Sequence, residues 1–201
     1  MKTELVKVKV EGHILVESFI NHEDLKNNKP EEVLLDIHND IHPENMSSLI
    51  ALAISRKGNY LSKMYFGNGG AVTDSLGNVT YFPTNKITQQ ASLYNTTYTK
   101  IIDAENTANT DPTNNFIDVN HVSGSVFTDL TINCLLDYGE PSDQSSTDTN
   151  SGDDTNTNYN FNEIGLVDNL GYLVTHMVFA PIEKSLNRLI RIKYRLRITV
   201  L

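Results

Sequence analysis

The segment Phe161-Asn162-Glu163-Ile164-Gly165-Leu166-Val167-Asp168 and its continuation Asn169-Leu170-Gly171-Tyr172-Leu173-Val174 decide the fold. Short apolar runs lie on both sides of an Asn/Gly corner, a pattern typical of two strands joined by a tight turn. We therefore predict a β-hairpin whose strands cover about 161–167 and 172–179, with Gly171 in the turn.

A second glycine-rich corner, Phe66-Gly67-Asn68-Gly69-Gly70, follows an apolar run at 61–66. No Lys-Ser/Thr pair and no helical pattern follow it, so it does not fit a phosphate-binding loop. Glycine permits the backbone conformations of tight turns. We therefore predict structural roles at turns for six residues: Gly67, Gly69, Gly70, Glu163, Gly165 and Gly171.

Most of the chain after residue 60 has the pattern of β-strands. Short runs rich in β-branched and aromatic residues alternate with Gly, Asn and Asp clusters. Predicted strands are 98–103, 116–122, 126–136 and 189–200, and a small hairpin covers 71–82. The fold class we predict is mainly β: an antiparallel β-sandwich or barrel-like domain with one or two short N-terminal helices and long loops.

The N-terminal part is more mixed. Residues 5–19 alternate as a strand does, with Gly12 placed to turn the chain, and the polar stretch 20–30 indicates a loop. Residues 30–41 have apolar spacing that allows a short helix. Pro43 suits the first position of a helix, and Gly58 suits its terminator, so we predict a helix at about 43–57. We treat 1–201 as a single domain, with 1–58 as its N-terminal region and 59–201 as its β region.

Residues 141–160 form a polar insert of Ser, Thr, Asp, Asn and Gly. Such a segment buries too little apolar surface to offset the entropy of ordering it. We predict a long flexible loop between two strands. Its acidic stretch 148–158 resembles a calcium loop only superficially, because the glycine is misplaced and the closing glutamate is missing.

Composition argues against several kinds of function. The net charge of −9 disfavours nucleic acid as the main partner, and no apolar run is long enough for a membrane span. The first residues lack the apolar segment of a signal peptide, and the single cysteine, Cys134, fits a buried residue of a protein made in a cytoplasm. His38 and His42 form at best a weak metal pair, since Pro43 interrupts any shared helix. We expect no catalytic residues and no cofactor.

Charge is divided unevenly along the chain. Residues 101–183 hold fourteen Asp or Glu and no Lys or Arg, whereas 184–201 hold six Lys or Arg and no Asp or Glu. In the last predicted strand one face is basic; we call Arg191, Lys193, Arg195 and Arg197 the basic stripe. One hypothesis is that the stripe meets an acidic surface of the next subunit, including Asp148, Asp153 and Asp154. The alternative is that the stripe keeps an edge strand soluble.

Three segments, in this order, resemble a known family: Leu61-Ser62-Lys63-Met64-Tyr65-Phe66-Gly67-Asn68-Gly69-Gly70 after a helix, Ala91-Ser92-Leu93-Tyr94-Asn95-Thr96-Thr97-Tyr98, and the hairpin at 161–174 followed by Phe179-Ala180-Pro181-Ile182-Glu183-Lys184. Together they resemble the N-terminal, particle-attaching domain of phage tail-collar and tail-fibre proteins. Asn68 departs from that pattern, which has an acidic residue there, and the insert at 141–160 is additional.

The resemblance implies a structural component of a tailed-phage virion, made in the host cytoplasm. Such a protein would form or join an oligomeric ring in the tail, neck, collar or baseplate, and could adapt fibres to it. Its expected partners are copies of itself and other virion proteins, with neither nucleic acid nor membrane as the main partner. The alternative is a carbohydrate- or receptor-binding module of a phage or a surface adhesin, with Tyr138, Tyr159 and Phe161 as candidate contacts.

Overall fold

The computed structural model describes residues 6–141 and 159–201. Its elements, in chain order, are β1 (Val8–Phe19), α1 (His22–Lys26), β2 (Glu32–Ile41), α2 (Pro43–Ile54), β3 (Leu61–Gly67), β4 (Ala71–Thr73), β5 (Val79–Tyr81), β6 (Thr96–Ile101), β7 (Phe116–His121), β8 (Phe127–Leu136), β9 (Tyr159–Asp168), β10 (Leu173–Lys184) and β11 (Leu189–Val200). The predicted mainly β class is confirmed.

Nine strands form one curled antiparallel sheet in the order β6-β3-β9-β10-β2-β1-β11-β8-β7. Strands β2 and β10 pair through only two residue positions, Ile41 with Thr175 and Asp40 with His176. This narrow junction lets the sheet fold over into two halves, which resemble the layers of a sandwich. The half around β1 and β11 then faces the half around β9 and β10.

The apolar core lies between the two halves. Ile14 of β1 and Tyr194 of β11 come from one half, and Phe66 of β3 and Phe161 of β9 come from the other; all four are fully buried in one cluster. The rings of Phe66 and Phe161 meet edge to face at a centroid distance of 5.4 Å, a favoured aromatic geometry. Cys134 is also fully buried, and burial raises the pKa of its thiol to about 12.

Helix α2 confirms the predicted helix, and its first turn is fixed by side chains. Pro43 occupies the start, and Nδ1 of His42 accepts a hydrogen bond from the Asn45 N–H at 3.3 Å. The Asn45 side chain also donates to the Leu173 carbonyl at 2.7 Å, which ties α2 to β10. The helix ends at Ile54, earlier than predicted, because Arg56 as well as Gly58 adopts a left-handed backbone conformation.

Two predictions for the N-terminal region are wrong. The stretch predicted as a possible helix at 30–41 is strand β2, and the predicted loop at 20–30 contains the short helix α1. In β2 the side chains of Leu35 and Ile37 lie opposite Val16 and Ile14 of β1. Pairing with β1 and burial against the core therefore override the helical spacing of the apolar residues.

The predicted turn at Gly12 is also wrong, since β1 continues straight through it. Gly12 lies opposite Asn39 of β2, and a Cβ at Gly12 would fall 1.6 Å from the Asn39 Oδ1 atom. Glycine is therefore needed here for the close approach of a neighbouring side chain rather than for a change of direction.

The predicted β-hairpins are confirmed. Strands β9 and β10 pair across the turn at Gly171, which has a φ of 93°, and β4 pairs with β5. Strand β9 begins at Tyr159, two residues before the predicted start, and β10 runs on to Lys184 with an irregular register around Pro181. Because β10 is longer than predicted, its C-terminal end reaches the loop that follows β8.

Candidate functional site

The three segments that carry the family resemblance meet at one buried carboxylate. Glu163 of β9 accepts hydrogen bonds from the backbone N–H groups of Gly69 at 3.0 Å, Tyr94 at 2.9 Å and Asn95 at 2.9 Å. Beside it, the Asn162 side chain accepts from the Gly70 N–H at 3.0 Å. Asn162 and Glu163 of β9 thereby hold both the glycine-rich corner and the segment at 91–98.

His176 of β10 completes this arrangement. Its Nδ1 accepts a hydrogen bond from the Asn85 N–H at 2.7 Å, and its Nε2 lies 3.1 Å from Oε2 of Glu163. Because Nδ1 accepts, the proton must sit on Nε2 and be donated to the carboxylate. The neutral tautomer therefore links the loop at 82–95 to Glu163.

Opposing effects set the ionisation of Glu163. Burial alone would raise its pKa, but the hydrogen bonds from His176 and from the Asn95, Tyr94 and Gly69 N–H groups outweigh burial and lower it. The carboxylate is therefore charged at neutral pH. Since the side chains of Glu163 and His176 are inaccessible to solvent, the pair holds segments of the chain together rather than presenting an open reactive site.

The structure places the six predicted turn residues in two settings. Gly69, Gly70 and Gly171 lie at corners, whereas Gly67, Glu163 and Gly165 lie within strands. The sequence patterns did not predict that Glu163 contacts His176 and the loop at 82–95. The signal that could have found His176 is its place in the same predicted hairpin as Glu163.

Asp168, at the end of β9, organises the hairpin turn. Its carboxylate accepts hydrogen bonds from the Leu170 N–H at 3.0 Å and the Tyr172 N–H at 2.8 Å. It also accepts from the Asn59 side chain at 2.9 Å. Asp168 therefore fixes both the turn and the segment that follows α2, in keeping with a structural role for this carboxylate.

The basic stripe lies on a central strand. Strand β11 is flanked by β1 and β8, so the alternative in which the stripe protects a sheet edge is wrong. Ile190, Ile192, Tyr194 and Leu196 point into the core, and the basic side chains point to the opposite face. The alternation predicted for this strand is confirmed.

Much of the charge of the stripe is neutralised within the subunit. Arg191 donates to the buried carboxylate of Glu17 at 2.7 Å, and Arg197 forms a two-bond pair with Asp129 at 2.7 Å per bond. The hydrogen bonds from Arg197 lower the pKa of Asp129. Among the described residues, Arg195 has no ion pair within 4.0 Å. Asp148, Asp153 and Asp154, the proposed acidic side of the interface, lie outside the described residues.

A second buried polar cluster lies at the far end of β10. The Lys184 ammonium donates to the carbonyls of Asp137 at 3.0 Å and Ser185 at 2.9 Å. Nearby, Lys100 of β6 pairs with Glu140 at 2.6 Å. Burial lowers the pKa of Lys184 to about 8, against the raising effect of Glu140 and Asp137.

This shift predicts a pH dependence of stability. Below pH 8 the folded protein holds Lys184 charged and buried, at a cost in free energy. Between pH 8 and the ordinary value of 10.5 the folded state binds fewer protons than the unfolded state, so stability rises with pH. Urea unfolding measured from pH 7 to 10.5 should show the free energy of unfolding of wild type rising by up to about 3 kcal/mol relative to that of Lys184→Met. The exposed Lys57→Met should track wild type; a constant difference for Lys184→Met would contradict the prediction.

The two histidines considered as a weak metal pair, His38 and His42, lie in different elements. His38 lies in β2, whereas His42 caps α2 and bonds the Thr88 carbonyl at 2.9 Å. Within residues 6–141 and 159–201, no group of three or more His, Cys, Asp or Glu side chains could hold a metal ion. No described helix is both long and apolar enough to cross a membrane.

No protein-family model, curated protein or solved structure matches this chain. The resemblance to the tail-collar and tail-fibre domains therefore rests on the three sequence segments alone.

Proposed function

We propose that this protein is a structural component of a tailed-phage virion. It forms or joins an oligomeric ring in the tail, neck, collar or baseplate, and could adapt fibres to that ring. The observation that carries the proposal is the convergence of three separate sequence segments on Glu163. Glu163 lies in the third segment. Its donor in the first segment, Gly69, is 94 positions away, and its donors in the second, Tyr94 and Asn95, are 69 and 68 positions away, yet the three segments form one hydrogen-bonded unit.

The convergence supports the proposal because it gives the resemblance a physical basis. Residues that are far apart in the sequence can act as one structural unit only when folding brings them together. Here Asn68, the position that departs from the family pattern, accepts a hydrogen bond from the Asn95 side chain at 2.6 Å. An acidic side chain at that position could accept the same bond, so Asn68 conserves the connection between the first two segments.

The rival reading, a carbohydrate-binding module, draws less support from the structure. Sugar-binding sites commonly present exposed aromatic rings, but Tyr159 and Phe161 are buried and stack on each other at 5.7 Å. Of the three candidate aromatics, Tyr138 alone is exposed, and its hydroxyl donates to the Ile20 carbonyl. The two rings thus belong to the core.

The test of the proposed function is the composition of purified particles. Virions from a host that carries this gene, purified by density gradient, should contain the protein at a fixed multiple-copy ratio to the major tail proteins when measured by quantitative mass spectrometry. Removal of the gene should yield particles that lack one layer of the tail or neck in electron micrographs. Complete particles without the protein would overturn the proposal.

A further inference from the structure

One region of the inner sheet face is apolar and is left open by residues 6–141 and 159–201. In β1 and β11 the even-numbered residues face the core, as Ile14 and Tyr194 do. The same face continues beyond α2 towards the start of β1 and the end of β11. We call six residues of this continuation the aliphatic floor: Val8, Val10, Val119, Leu130, Ile198 and Val200.

The pairing of the strands makes the aliphatic floor continuous. Val8 lies opposite Val200, and Val10 lies opposite Ile198. One row nearer the core, Leu130 lies between Leu196 of β11 and Val119 of β7. Residues directly opposite each other in antiparallel strands share a face, so the floor extends over β1, β11, β8 and β7. The polar pair Thr128 and His121 borders it beside Ile198.

Exposure increases along the floor. Val10, Leu130 and Ile198 are half-buried, whereas Val8 is 57% exposed, Val119 62% and Val200 49%. Between the floor and α2 are two adjacent cavities of about 340 Å³ and about 630 Å³, which share Val10, Met46 and Ile50 in their walls. Helix α2 therefore covers one end of the face and leaves an apolar groove along its side.

A matching projection stands beside the groove. Ile54, the last residue of α2, borders the larger cavity and is 81% exposed. The same surface therefore offers both an apolar ridge and an apolar groove. Two copies related by a two-fold axis can each insert the ridge into the groove of the other, as a self-complementary interface requires.

The size of the surface fits this occupant. The exposed fractions of the floor and of Ile54 correspond to an apolar area on the order of 500 Å², which is within the range of about 300–600 Å² for the largest and often functional patch of a monomer. A standard interface buries about 800 Å² per partner, and about 65% of a homodimer interface is apolar, which is again about 500 Å².

We propose that the aliphatic floor and Ile54 form the docking surface for a second copy of this chain. The choice of a second copy rests on the proposed role in assembly, while the location of the surface rests on the exposed residues alone. In the pair, Ile54 of each copy lies against Val8 and Val10 of the other, and the two grooves close together.

Sedimentation velocity over a range of concentrations tests the proposal. Wild type should form a dimer, and Ile54→Glu or Val8→Glu should weaken the dimer at least about 100-fold, since each buries a charge against apolar surface. The control variants Leu76→Glu and Val72→Glu change similarly exposed side chains in the β4–β5 hairpin and should dimerise as wild type does. Circular dichroism checks that each variant is folded.

A mixing experiment tests the ridge-and-groove geometry directly. Ile54→Lys and Val8→Glu should each be monomeric alone. When they are mixed, a two-fold pair puts the introduced lysine against the introduced glutamate at one contact and restores the native contact at the other. A heterodimer is therefore expected, and its absence would overturn the arrangement.

The outcome separates this inference from the proposed function. A wild-type protein that stays monomeric, or variants that dimerise unchanged, would overturn the docking surface. Either result is compatible with the protein being found in purified virions. A dimer that depends on Ile54 in a protein absent from virions would support the docking surface and overturn the virion role.

Discussion

Replacing Glu163 with glutamine should lower the free energy of unfolding by about 3–5 kcal/mol, an effect set by the unsatisfied buried groups it creates. Oε1 of Glu163 accepts from Gly69 and Asn95, and Oε2 accepts from Tyr94 and His176. A glutamine amide has one acceptor oxygen, so its NH₂ group must face N–H donors in either orientation. Urea unfolding followed by tyrosine fluorescence or circular dichroism measures the loss.

The histidine cannot relieve this conflict. If Nε2 of His176 became an acceptor for the glutamine NH₂, the proton would move to Nδ1 and face the Asn85 N–H. The matched control is Glu105→Gln, an exposed glutamate, which should change stability by less than about 0.5 kcal/mol. A loss for Glu163→Gln as small as that of the control would show that the hydrogen bonds of Glu163 contribute little.

The same comparison has a defined pH dependence. Because the pKa of Glu163 is lowered in the folded state, its ionised form stabilises the fold fully above the ordinary value of 4.5. That contribution is lost as the pH falls through the lower folded value. The difference between wild type and Glu163→Gln should thus be constant from pH 7 to about 5 and shrink below that range.

Local sequence patterns predicted the later strands well because their turns carry strong signals. Gly171 and the Leu76-Gly77-Asn78 corner mark where chains reverse, and the alternation in β11 identifies its two faces. Strand β2 escaped prediction for a physical reason. Its apolar residues fit a helix or a strand equally well. Pairing with β1 decides in favour of the strand, and the local sequence pattern of β2 does not reveal that partner.

The candidate site was predictable only in part. Sequence identified Glu163 as structural, but its donors are backbone N–H groups, which every residue carries and no pattern reveals. Likewise, the basic stripe was visible as alternation, whereas its neutralisation by Glu17 and Asp129 depends on the register of β1 and β8 against β11. Tertiary pairing, rather than composition, decides which charges stay available to a partner.

The exposure of the aliphatic floor could not be predicted from the sequence either. Its residues have the same alternation as the core residues that precede them in β1 and β11. Nothing local distinguishes Val8 from Ile14, yet the first is exposed and the second is fully buried. The difference arises because α2 covers only part of the inner face and leaves a groove along its side, which Val8 borders.

Replacing Gly67 with alanine should destabilise the protein by more than about 3 kcal/mol, because the added methyl group has no space and its neighbours cannot move. A Cβ at Gly67 would lie 2.4 Å from the Asn95 carbonyl oxygen and 2.5 Å from Oε1 of Glu163. The first atom is backbone in a hydrogen-bonded segment, and the second is held by two N–H donors. Relief of the clash would therefore break the hydrogen bonds that Glu163 makes.

Because Gly67 and Glu163 depend on the same hydrogen bonds, a double variant tests the effect of Gly67→Ala more sharply than the size of its stability loss does. Gly124→Ala is the control: Gly124 has a φ of 86° but open space around its Cβ position, so it should cost only the ~1 kcal/mol of a strained backbone. If Gly67 acts through Glu163, the Gly67→Ala and Glu163→Gln losses measured by urea unfolding should be less than additive in the double variant, since both remove the same hydrogen bonds. Full additivity would mean that Gly67 is required only for local packing and does not act through the hydrogen bonds of Glu163.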